Sequence, residues 1–231
     1  MKTRYGLLAL LSVLVFLAAD NQTSQDFGPS FFGSAEGNSH QMIEQGRHTF
    51  RFDTFGDEAF WGGQLRLHET INHLTPRQAL ELGLKVDSQA LPSAVIDAIK
   101  SGKVNLNDPT VTLLLIKLKA VLGVVGFFNQ NGTLKSVGLT CAVCHSTVDN
   151  SIAPSIGKRI DGLANRDLNV GAIAASAPNL QPVVDLLRLA DPGITTEKVR
   201  EVLNSWGREN STLSFSSTAK PSIHNKSRTE S

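Results

Sequence analysis

The chain holds only two cysteines, and both lie in one short run, Cys141-Ala142-Val143-Cys144-His145. One helical turn carries all three reactive groups of such a run. A Cys-x-x-Cys-His motif is the attachment signature of c-type haem. The two thiols reach the two vinyl groups and form thioether bonds, while the adjoining imidazole is aimed at the iron from the proximal side. The spacing therefore predicts one covalent haem c per chain, with Cys141 and Cys144 as tethers and His145 as tether-locked metal ligand. Two other chemistries use the same residues. A redox dithiol of thioredoxin type should follow a strand and open a helix in an α/β chain, and the sequence predicts no such strand. A zinc site needs two further ligands, and a second closely spaced pair is missing. With both cysteines in one motif, a disulfide framework is not expected either.

A haem needs further partners. Pro154, in Ala153-Pro154-Ser155-Ile156-Gly157, is placed to offer its carbonyl to the outer nitrogen of His145, as a proline does in small cytochromes; the alternative is that it only shapes a loop. Lys158, Arg159 and Arg166 are candidates to neutralise the anionic propionates, with Arg166 preferred, or else are solvated surface charges. No methionine follows His145, so the usual thioether on the far side of the iron is lacking. That leaves His68, then His73, Met42 and His48, or an open sixth position. His68 is the first choice for metal ligand, although a lone histidine on an apolar helix is more often a hydrogen-bonded core residue. His40 and His224 complete the set of histidines.

The elements around the motif read as helical. Ser39 can cap a helix with Met42, Ile43, His48 and Phe50 inward, and Asp57 can start another through Phe60, Trp61, Leu65, Leu67 and Ile71. Thr75-Pro76 and Asp108-Pro109 each set a capping side chain before a proline at the first helical position. The second leads into Val111 to Leu122, apolar around most of its circumference and so a central helix. A helix from Pro92 to Lys100 ends at Ser101-Gly102. Asn129 to Gly132 is a turn, and two last helices run from Gln181 to Leu189 and from Thr196 to Trp206. No alternating run supports a sheet. The expected fold class is all-α, a cytochrome c-like helical domain around one haem with additional N-terminal helices.

Composition sets the outer bounds. At 231 residues the chain has room for one modest domain and flanking segments. Its 22 Lys and Arg against 21 Asp and Glu create no general field for nucleic acid. Lys2 and Arg4 precede an apolar run from Gly6 to Ala19, the layout of a secretory signal over 1–19. That run is short of the roughly 20 apolar residues a spanning helix needs, so an exported, periplasmic protein with no stable membrane span after cleavage near Ala19 is expected. Bulky Phe16 and Leu17 at the cleavage site keep an uncleaved anchor as the alternative. Residues 20–38 read as a flexible extension, 39–206 as the haem domain, and 207–231 as a disordered tail.

Three stretches carry a resemblance: Phe50 to Gly62, Leu139 to Val148, and Asn165 to Ile173. Over roughly residues 40–206 the chain resembles a family of uncharacterised bacterial exported cytochrome c proteins, whose members look like longer dihaem chains distantly similar to peroxidase-type cytochromes. The resemblance implies haem binding and single-electron transfer to a redox partner protein, with a peroxidase-like enzyme, or a fragment of a dihaem enzyme, as the alternative. It also implies a truncation after the first haem domain. The nucleotides able to encode Gly207 to Phe215 can, after a one-base slip, encode a sequence that suits the family, so a frameshift near Trp206 is expected.

Overall fold

The structure, a computed structural model, describes residues 35–206. The predicted signal segment, most of the extension, the 207–231 tail and His224 lie outside the described residues. The packing divides the chain into two units, Met1–Gly46 and Arg47–Ser231. Helix α1, Ala35–Phe52, begins within the predicted extension. In the first unit its described residues carry Met42 and Ile43, expected inward but 71% and 55% exposed.

In the second unit the continuous helix expected from Asp57 to Ile71 is broken. A π-helical segment, Ala59–Gln64, is followed by α2, Leu67–Ile71, and the two are parted by Arg66 at φ 59°. The Gly62-Gly63 pair allows this wider winding: a Cβ on Gly62 would sit 1.7 Å from the Ser136 hydroxyl oxygen, so only glycine admits the neighbouring strand so close. Helix α3, Pro76–Glu81, starts as its sequence dictates. Thr75 Oγ1 accepts from the Gln78 backbone, and the Gln78 side chain returns a bond to the Thr75 N–H, a closed capping box. Helix α4, Ser93–Lys100, ends at Gly102 in the left-handed conformation expected there. Helix α5, Pro109–Lys117, is capped by Asp108 but stops short of Leu122, because Lys119 turns left-handed at φ 54° and Ala120 to Leu122 leave the helix.

The expected all-α cytochrome c-like fold is overturned. Helix makes up 47% of the described residues and strand 14%, so the architecture is mixed α/β, with small sheets beside short helices. Strand β1, Val86–Asp87, pairs in parallel with β5, Ile156–Gly157. Strands β2, Val124–Phe128, and β3, Leu134–Leu139, form an antiparallel hairpin around the predicted Asn129–Gly132 turn, with Val125 opposite Gly138 and Phe127 opposite Ser136. Strand β4, Ser146–Val148, pairs with β6, Arg159–Asp161, placing Ser146 opposite Asp161. The hairpin escapes sequence reading for a physical reason. Both faces of β3 are partly covered, and Gly126 and Gly138 stand where large side chains would mark an alternation, so period two is not expressed.

Between β3 and β4 lies the one-turn helix α6, Ala142–His145. The last helices are α7, Val170–Ala175, which was not expected, and α8, Gln181–Leu187, and α9, Thr196–Asn204, close to the expected bounds. One apolar core joins them, with Leu65, Val137, Leu180 and Val184 wholly enclosed. Among the described residues no helix is long and apolar enough to cross a membrane.

Candidate functional site

Strand β3 delivers the Cys-x-x-Cys-His run, and several side chains fix how it arrives. The Asp57 carboxylate accepts the Leu139 N–H at 3.0 and 3.2 Å, pinning the strand end. Burial pushes the Asp57 carboxyl up from its ordinary value, against bonds from the Leu139 N–H and the Trp61 indole that favour the charged form. Thr140 donates from its N–H to the Gly123 carbonyl at 3.0 Å and from its hydroxyl to the Arg51 carbonyl at 3.1 Å. Its hydroxyl oxygen then accepts the Ala142 N–H at 3.3 Å. Gly123, at φ 70°, is the floor under the motif: a Cβ there would lie 2.0 Å from the Val143 nitrogen.

The far end is held as firmly. The Cys144 carbonyl accepts the Asn165 N–H at 2.8 Å, and the His145 carbonyl accepts the Gly162 N–H at 2.9 Å. Ser146, fully buried, donates to Asp161 at 2.7 Å, and Arg51 reaches the same carboxylate at 2.5 Å. Burial alone would raise the Asp161 pKa, but the Ser146 and Arg51 bonds and the positive charges of Arg51 and Arg159 together hold it below the ordinary carboxylate value. Two residues along β6, Arg159 pairs with Asp87 at 3.0 Å, the side chains 3% and 8% exposed, and its guanidinium lies 5.8 Å from the Phe52 ring centre. One guanidinium nitrogen of Arg159, Nη1, is buried without a partner.

Cys141 and Cys144 are free thiols reachable from solvent, and His145 is exposed beside them. Cys144 also borders a cavity of about 200 Å³, or about 1010 Å³ with the space at its open mouth included. Trp61, Leu67, Ile116, Leu139, Leu168 and Ile173 are among its walls, which are almost wholly apolar. Roughly 150 Å³ of such space already stays dry and admits a benzene-sized guest. The apolar wall, with Cys141 beside it, pushes the Cys144 thiol up from its usual value. A flat apolar macrocycle suits these residues: an oily recess to take a face or an edge, one thiol at its border, and a second thiol and an imidazole on the same helical turn.

The other predicted residues are placed less closely. Pro154 is exposed in the turn before β5, and among the described residues the His145 imidazole makes no hydrogen bond, to Pro154 or otherwise. Arg166 is exposed and unpaired among the described residues, next to the Asn165 that binds Cys144. His68 lies on α2 but does not line the cavity, and its Nδ1 is buried without a partner. His73 is exposed, and His48 is exposed with its ring 5.3 Å from Phe52. Among the described residues no three His, Cys, Asp or Glu side chains converge as a metal-binding group.

One ground for setting aside a dithiol needs correction: the motif does follow a strand, β3, and does open a helix, α6. That strand belongs to a hairpin, however, and the helix is a single turn feeding another strand. Asp57, Gly123 and Asp161 are positioning residues that sequence reading missed. Asp57 was read only as the start of a helix, and Gly123 and Asp161 gave no local signal of their partners. Compared with family models, curated proteins and solved structures, the chain matches none.

Proposed function

We propose that this chain is an exported c-type cytochrome that binds one haem through Cys141 and Cys144, with His145 as axial ligand, and passes single electrons to a redox partner protein. The observation that carries the reading is the coincidence of the motif with the apolar cavity, Cys144 being common to both. Bound haem supplies a one-electron iron couple; everything else is the work of the chain. Cys141 and Cys144 tether, His145 ligates, and Gly123, Thr140 and Asn165 hold that turn in place. The apolar walls would exclude water from a bound haem, and the exposed Cys141 and His145 would leave it open to a partner. Arg166 is the cation to pair with a propionate, lying unpaired beside the motif.

The strand-to-helix placement of the motif favours a second reading, a redox dithiol. Against it, the helix that the motif opens is a single turn, short of the longer helix whose N-terminus lowers an attacking thiol in that class. One experiment separates the two. Protein made in a host with cytochrome maturation enzymes is expected to be red, to gain the mass of one haem, and to lose it in Cys141→Ala with Cys144→Ala. A bare polypeptide with a reversible Cys141–Cys144 disulfide would instead establish the dithiol.

A further inference from the structure

The apolar recess has the properties of a binding site in its own right, before any haem is attached. Its volume of about 200 Å³ exceeds by about a third the roughly 150 Å³ that takes up benzene. The polar hydrogens of its walls are already engaged. Thr112 donates its hydroxyl hydrogen to the Leu74 carbonyl at 2.6 Å, Thr70 donates to the Ser176 carbonyl at 2.8 Å, and Ser176 donates to the Ile173 carbonyl at 2.7 Å. The Trp61 indole is committed to Asp57. A carboxylate or carbonyl entering here would shed its hydration and find, apart from the weak S–H of Cys144, no free donor among these groups. A hydrocarbon sheds no hydrogen bond and gains contact with walls that are almost wholly carbon. The recess also has a way in: Cys144 and Val170 both line it and both reach the surface, Val170 at 44% exposure.

We propose that the recess is a receptor site for a single small, neutral, hydrocarbon-like molecule on the scale of about two fused rings, seated among Trp61, Ile116 and Ile173 with an edge against Cys144. The inference goes beyond the haem reading and does not rest on it. Cys144 is the reporter of the site as well as its border. A guest covers the side of its thiol that meets the walls and keeps water from the thiolate, so the thiol reacts more slowly. Cys141, a free thiol on the same turn, is not among the residues that line the recess and stays uncovered.

The test uses the full-length chain made without maturation enzymes and kept reduced, with naphthalene as the probe and 2-naphthoate as its charged counterpart. Alkylation by iodoacetamide is followed at each cysteine by peptide mass spectrometry. At about twice the dissociation constant measured by calorimetry, naphthalene leaves about a third of the sites free, so Cys144 alkylation is expected to slow about threefold. Cys141 is expected to keep its rate, and naphthoate to protect neither thiol. The melting temperature rises with naphthalene concentration. No protection, equal protection of both thiols, or protection by naphthoate as strong as by naphthalene overturns the proposal. Matured protein keeps this site distinct from the haem reading. If naphthalene protects the unmatured chain but no longer raises the melting temperature of the matured one, guest and pigment share the recess; a retained rise gives the recess to the guest alone. A chain that never gains haem mass yet shows the Cys144 protection keeps this site and removes the haem reading, and one that gains haem but shows no protection does the reverse.

Discussion

Gly123 shows how much of the Cys-x-x-Cys-His turn depends on a single residue outside the motif. Its backbone is left-handed, and the missing Cβ is the space into which the Val143 backbone fits. Gly123→Ala therefore meets both a strained conformation, at about 1–3 kcal/mol, and a collision with backbone that cannot swing aside. Urea unfolding is expected to show a loss of at least about 2 kcal/mol, and the haem content per chain is expected to fall. Full stability with normal haem content would show that the turn has room to adapt. The helical turn that carries the two cysteines and His145 was legible in the sequence because its spacing is local. Gly123 was not, because its partner lies far along the chain and only the fold brings them together. The same holds for Asp57 and Leu139.

The short strand pair β4–β6 does the work at the next scale, fastening the chain that leaves the motif. Two carboxylates anchor it. Asp161 is held below its ordinary value of 3.8, so its contribution is present above that value and is lost as the pH falls through the lower folded pKa. Acid titration followed by near-ultraviolet circular dichroism is expected to show a loosening below about pH 4, absent in Asp161→Asn, which should start from lower stability and change less with acid. Asp87 answers a buried cation. Asp87→Ala strands the Arg159 guanidinium and is expected to cost about 3–5 kcal/mol in chemical denaturation, whereas a change near zero would mean that water already reaches Arg159. Helices were readable at this scale wherever a cap announced them, as at Thr75-Pro76 and Asp108-Pro109. Strands of two or three residues were not, since so short a run cannot display an alternation, and they form only because the packed core presents them with partners.

At the scale of the described residues the apolar cavity is a marked departure from close packing. An unfilled volume of about 200 Å³ corresponds to as much as about 5 kcal/mol at roughly 24 cal/mol per Å³. The haem-free chain is therefore expected to melt well below the matured form, a difference measurable by calorimetry on the wild type and on Cys141→Ala with Cys144→Ala. Equal melting temperatures would mean that the pigment lies outside the recess. The folded chain leaves both sulfurs and the ring of His145 open to the outside, and this bears on the order of events during biogenesis. On the haem reading proposed above, a maturation enzyme need not catch a nascent, unstructured polypeptide: the folded chain presents Cys141, Cys144 and His145 at its surface, so ligation can come last, as a glaze is applied to a vessel already fired.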